Sequence, residues 1–156
     1  MRKPIVVVGV VALAAALGVA AMGQGGEPWR ADQVIEPEEL ARVLTSGHGQ
    51  KPLVFYVGFP LLYAGGHIPG SRYVGPTLRP EGLAALQQAL QKLPRDANVV
   101  LYCGCCPMER CPNIRPAFEK MQALGFTNVK VLDIPVNFPH DWTSKGYPIE
   151  KGSPPA

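Results

Sequence analysis

No cysteine lies outside positions 103–111, so the chain lacks the spread of thiols from which a stapling disulfide framework is built. Basic runs are also missing. Beyond Arg2-Lys3 there is no Lys/Arg cluster and the formal charge is only +3, which removes the electrostatic footprint of a nucleic-acid binder and leaves a small anionic substrate compatible. No internal repeat or low-complexity block appears, which excludes a repeat array. With 156 residues and 47% apolar content, one core is affordable and two domains are not.

The first residues combine a basic start, an apolar run from Ile5 to Ala21 and the small-residue stretch Ala20-Ala-Met-Gly-Gln24. That pattern predicts an export signal cleaved after Gly23, or an uncleaved membrane anchor formed by residues 5–21. Either form places the domain outside the cytoplasm, in the periplasm or an equivalent oxidising compartment. Residues 24–33 read as a linker around Gly23-Gln-Gly-Gly26, residues 34–150 as the domain, and residues 151–156 as a flexible tail.

Within the domain, helical and strand patterns alternate. Pro37 starts a helix carrying Leu40, Val43 and Leu44, with Val34-Ile35 before it to pack back. Leu53-Val-Phe-Tyr-Val57 reads as a buried strand. A second helix from Pro80 bears the stripe Leu83, Leu86, Leu90, Leu93, and Asn98-Val-Val-Leu-Tyr102 is the next strand. A third helix presents Ile114, Phe118, Met121 and Leu124, stops at Gly125, and leads to the strand Asn128-Val-Lys-Val-Leu-Asp133. This alternation predicts an α/β fold with three layers, a central parallel sheet between two layers of helices. Ligands bind such sheets beyond the carboxyl ends of the strands, so the segments 58–63, 103–113 and 133–142 are expected to face one another.

The middle segment carries the chemistry. Cys103, Cys105, Cys106 and Cys111 follow the strand directly, and thiols gathered at one strand end point to sulfur chemistry or metal binding. Cys103-Gly-Cys-Cys106 is a C-x-x-C, the spacing of thiol–disulfide exchange. Crowded thiolates also suit Cu(I) or, less well given adjacent Cys105 and Cys106, zinc. A bracing disulfide of Cys105 or Cys106 with Cys111, leaving Cys103 free, is the plain structural alternative. His67 lies in a Gly-His-Ile-Pro-Gly turn and reads as a structural histidine. His140 precedes Trp142 in the third segment, where an imidazole can steady a ligand and the tryptophan can serve as a packing anchor. Phe59, Tyr63 and Phe138 read as pocket wall or core.

Several phrases taken in order resemble the rhodanese-like sulfurtransferase family: Gly66-His-Ile-Pro-Gly-Ser71, Val99-Val-Leu-Tyr-Cys103, Gly125-Phe-Thr-Asn-Val129, Trp142 and Gly146-Tyr-Pro148. The likeness runs from about Val34 to Glu150. It implies a catalytic Cys103 that takes sulfur from an anionic sulfane donor such as thiosulfate, holds it as a persulfide and passes it to a thiol-containing acceptor. It implies no cofactor. Cys105, Cys106 and Cys111 become auxiliary thiols, Gly104 with Arg110 and Arg115 the substrate-binding group, and Phe59, His140 and Trp142 the pocket. An anion cradle of loop N–H groups at a helix start is expected around the Cys103 sulfur. Two features depart from the family pattern. Tyr56 and Gly58 stand where the family carries Asp and Arg, and the loop after Cys103 is longer and contains Pro107 and Pro112, which have no N–H to offer.

Overall fold

The three apolar runs form the middle of one parallel sheet in the computed structural model, which describes residues 26–154. The strands are β1 (Val34–Ile35), β2 (Leu53–Tyr56), β3 (Arg72–Tyr73), β4 (Val99–Tyr102) and β5 (Val129–Leu132), in the order β1-β5-β4-β2-β3. β4 is central, pairing with β2 from Leu53 opposite Val99 to Tyr56 opposite Tyr102, and with β5 on its other side. All of its residues are buried, as a strand covered on both faces must be. The edge strands β1 and β3 have two residues each, too few to show an alternating pattern.

Side-chain alternation divides the core in two. Phe55 and Val57, Val99 and Leu101, and Val129 and Val131 face α3 (Pro80–Leu90) and α4 (Ile114–Ala123), meeting Leu86, Leu90, Phe118 and Met121. Val54, Tyr56, Val100, Tyr102 and Leu132 face the other way. There they meet Leu40 of α1 (Pro37–Thr45), Tyr63 of α2 (Pro60–Gly65), and Phe138 and Trp142 at α5 (Phe138–Asp141). α1, α2, α3 and α5 each have proline in the first two positions, where its fixed φ suits the helix and its missing N–H has no partner to lose. α2 and α5 are too short for periodicity to show, and the sequence reading treats both as loop.

Two terminal expectations need correction. Residues 26–33, expected as a linker, pack on α4: Trp29 is buried with its ring edge-on to Phe118 at 5.6 Å, and Glu27 pairs with Arg115 at 2.8 Å. An indole placed against an apolar helix face gains too much burial to stay free. The start of the tail is likewise held, since the Gly152 N–H donates to the Ala64 carbonyl at 3.1 Å. The expected signal or anchor at 1–23, with its apolar run 5–21, lies outside the described residues. Among the described residues, no helix is long and apolar enough to cross a membrane.

Gly125 ends α4 with φ at +82° and open space where a Cβ would sit. Gly125→Ala is therefore expected to cost only the left-handed backbone penalty, about 1 kcal/mol. Leu86→Ala, which empties a fully buried position, is expected to cost about 3 kcal/mol. Urea unfolding of both variants checks the pair, and equal losses would contradict the assignment of Leu86 to the core.

Candidate active site

A cavity of about 310 Å³ opens where the strand ends converge, a volume within the range that small ligands occupy. The three segments expected to face one another meet there. Leu61 and Leu62 of α2 form one wall, Phe138 and Pro139 of α5 another, and Tyr56, Cys103 and Gly104 the floor. Ile149 and Lys151 close the rim, and Lys151 is the one charged residue among the lining side chains.

Cys103 continues the alternation of β4, so its side chain joins the cluster of Val99 and Leu101, and it also lines the floor of the cavity beside Tyr56. It is 2% exposed. The chain can pack this tightly because two glycines stand beside it. A Cβ at Gly58 would lie 2.7 Å from the Cys103 sulfur and 2.8 Å from the Tyr56 hydroxyl. At Gly104, φ is +77° and a Cβ would meet that of Phe138 at 2.5 Å, while the Gly104 carbonyl accepts from the Phe138 N–H. The Tyr56–Gly58 departure from the family pattern thus has a physical sense: a phenol and an empty space replace two charged groups. Burial above all pushes the Tyr56 phenol far above its ordinary value, so it remains a neutral donor, bonded to the Phe59 carbonyl at 3.3 Å.

The left-handed turn at Gly104 folds the loop so that the thiols gather. The Cys103 and Cys105 sulfurs are 3.2 Å apart, Cys105 and Cys106 3.3 Å, and Cys105 and Cys111 4.0 Å. All four are free thiols. Cys103, Cys105 and Cys111 have their sulfurs within 4.8 Å of one another, a spacing that three ligands of one soft cation can adopt, since bonds of about 2.3 Å put tetrahedral sulfurs roughly 3.8 Å apart.

Of the expected anion cradle, the Cys105 N–H meets the Cys103 sulfur. Pro107 and Pro112 have no N–H, and those of Met108, Arg110 and Cys111 are used by Ile134, Pro107 and Met108. Charge settles instead on Cys111, which the thiols of Cys103 and Cys105 hold far below the ordinary thiol range against the effect of burial. The N–H groups of Asn113 and Ile114 at the start of α4 add to this. Cys103 is pushed up to about 12: contact with Cys105 favours its thiolate, but Cys111 and burial outweigh that. Cys105 is raised through its contacts with Cys103 and Cys111. One negative charge is thus shared by the cluster and rests on its helix-side member.

Asn113, which the sequence reading passes over, ties the site together. It is fully buried; its side-chain amide donates to the Cys103 sulfur at 3.4 Å and accepts from the Leu78 N–H at 3.1 Å, while its carbonyl accepts from the Thr77 hydroxyl. An asparagine just before a helix was the available signal, though it reads equally well as an ordinary cap. Tyr56, Lys151 and the α2 leucines were also not anticipated as lining groups.

Other expected site residues lie elsewhere. Arg115 reaches Glu27 and the Gly26 carbonyl, away from the cavity lining, because it holds the N-terminal segment on α4. Arg110 is exposed and acts on Cys106, whose thiol burial raises and the guanidinium partly lowers. Phe59 precedes α2 and contributes its carbonyl rather than a ring on the lining. His140 points outward, 60% exposed, and pairs with Asp141 at 2.6 Å. Trp142 is fully buried, donating to the Pro148 carbonyl at 2.9 Å and stacked on Phe138, so it anchors the wall from behind. His67 has the structural role expected, with Nδ1 donating to the Tyr63 carbonyl at 2.9 Å and its ring stacked on that tyrosine.

The family model for the rhodanese-like domain matches residues 36–134, most of the described chain. The chain belongs to the rhodanese-like domain family. Solved structures agree on the fold. The Alr3790 protein from Anabaena sp. superposes with a TM-score of 0.57 at 19% identity, over 75% of this chain and 82% of that one. A rhodanese-like domain protein from Staphylococcus aureus gives 0.53 at 16% identity, over 78% of this chain and 99% of that one. A thiosulfate sulfurtransferase from Pseudomonas aeruginosa gives 0.56 at 30% identity over 77% of this chain, which spans 19% of that protein's length. No curated protein matches the chain. This rhodanese-like domain therefore has the sulfurtransferase-type fold with a cysteine-rich loop at its strand ends.

Two outcomes follow from the charge distribution. Thiolate absorbance in the reduced protein should persist as pH falls below the ordinary thiol range and disappear in Cys111→Ser; a signal appearing only at alkaline pH would contradict the assignment. For Cys103 the folded value lies above the unfolded one, so its contribution to stability is complete below pH 9.0 and lost as pH rises toward about 12. Denaturation of Cys103→Ser across that window should show a shallower alkaline decline than the parent.

Proposed function

We propose that this rhodanese-like domain is an exported sulfurtransferase in which Cys103 attacks an anionic sulfane-sulfur donor, carries the sulfur as a persulfide and gives it to a thiol acceptor. The observation that carries this reading is the placement of Cys103 at the floor of a strand-end cavity with a charged lining residue suited to an anion. Proton transfer from Cys103 to the Cys111 thiolate, directly or through Cys105, converts the resting cluster to one with a nucleophile at the cavity. The Asn113 amide supports the sulfur as charge develops.

The lining favours a donor with a single negative charge and an apolar body over a compact dianion. Lys151 supplies one cation, whereas Leu61, Leu62, Phe138 and Ile149 supply apolar wall. Thiosulfate remains a usable donor of the same chemistry. Export rests on the basic start and apolar run at 5–21, which also offers a membrane anchor. A second reading, thiol–disulfide exchange, is favoured by sulfur contacts of 3.2 and 3.3 Å within the loop.

Reduced protein in which Cys105 has been replaced by serine, with Cys111 kept as the proton acceptor, should gain about 32 Da, one sulfur atom, on exposure to a sulfane donor. Peptide mass analysis should place it on Cys103, and Cys103→Ser in the same background should take up none. Uptake independent of Cys103 would overturn the assignment.

A further inference from the structure

We propose that Cys105 ends the reaction within the loop by attacking the inner sulfur of the Cys103 persulfide, releasing hydrosulfide and leaving a Cys103–Cys105 disulfide. The inference rests on the persulfide reading above and adds a second activity to it, reductive release of sulfide. Geometry separates this step from simple transfer along the thiols. In-line attack on the outer sulfur needs the attacking and leaving sulfurs on opposite sides of it, at least two S–S bond lengths or roughly 4.1 Å apart. Cys105 stands 3.2 Å from the Cys103 sulfur, too near to flank an outer atom and already in contact with the inner one.

Placement on the two faces of the sheet adds a second argument. The donor cavity is lined by Cys103 and Gly104 but by none of the other thiols, whereas Cys105 packs with Cys106 and Cys111 on the α3/α4 side. A persulfide extending into the cavity thus has its outer sulfur directed away from Cys105. Attack from behind, in line with departure into the cavity, is the remaining approach. Gly104, with its left-handed backbone, is what folds Cys105 back to that side.

The balance is complete. Cys105 forms the new S–S bond to the Cys103 sulfur and releases its proton; the bond from Cys103 to the outer sulfur breaks, and that atom leaves with the electron pair and takes up the released proton. The persulfide anion and the Cys105 thiol thus become a disulfide and hydrosulfide, with Cys111, 4.0 Å from Cys105 and already protonated when Cys103 was activated, as the relay. Two thiols are oxidised to a disulfide and one sulfane sulfur is reduced to sulfide. With thiosulfate as donor, sulfite is the other product. An external dithiol returns the pair to thiols, and Cys106, part-exposed and 3.3 Å from Cys105, gives it a reachable sulfur for exchange.

The test is an anaerobic single turnover of the reduced protein with thiosulfate and no added acceptor, following sulfide and intact mass. The parent should release close to one sulfide per chain and finish about 2 Da lighter, with Cys103 and Cys105 joined. Cys105→Ser, or Cys105→Ala if the serine variant is unstable, should instead keep about 32 Da on Cys103 and release sulfide at least roughly tenfold more slowly. A stable adduct on Cys103 of the parent, sulfur found on Cys106 or Cys111, or undiminished sulfide from the Cys105 variant would overturn the release step while leaving the nucleophile intact. Absence of both sulfide and adduct from every protein would overturn the nucleophile assignment and the release step together.

Discussion

The strict alternation of side chains along β4, a strand buried on both faces, governs the rest of the molecule. At its carboxyl end two consecutive residues are committed to opposite layers. Tyr102 turns to the α1/α2 side, where its hydroxyl accepts from the Ile68 N–H at 2.9 Å and meets Ser71 at 3.2 Å, holding the Gly66–Ser71 turn in register. Cys103 turns to the α3/α4 side, where Asn113 links it to Thr77 and Leu78. Both halves of the candidate site are thereby referenced to one strand, and the central place of that strand in the sheet limits how far either can drift.

The electrostatics follow from depth. A thiolate in an apolar surrounding is costly unless donors meet it, and the loop's prolines and internal turns leave few N–H groups for Cys103. The Cys105 N–H meets Cys103, whereas two donors at the start of α4, those of Asn113 and Ile114, face Cys111. A single shared charge resting beside a helix start, with the cavity-side sulfur protonated, differs from a lone activated cysteine in an N–H cradle. It makes proton movement among the thiols a part of the chemistry we propose, in which the auxiliary cysteines act as proton acceptor and second nucleophile.

Much of the scaffold was legible because long apolar runs and helical stripes report burial directly. The strands at 53–57, 98–102 and 128–133, the helices led by Pro37 and Pro80, and the stop at Gly125 all read from local pattern. What escaped was short or decided at a distance. β1, β3, α2 and α5 are too brief to show a period. The packing of Trp29 on Phe118, which turns an expected linker into part of the core, depends on residues far apart in the chain. Arg115 suited an anion site by type and sequence position, yet Glu27 claims it.

Sequence alone determined the parallel α/β architecture, the convergence of three segments beyond the strand ends, and the presence of four thiols after β4, since periodicity, glycine stops and composition are local properties of the chain. Tertiary structure decided which sulfurs touch, which one carries the charge, and which cations reach the cavity. Those outcomes depend on distances of a few ångströms between groups brought together only by folding, and on the helix start and empty glycine positions that surround them, so spacing along the chain does not contain them.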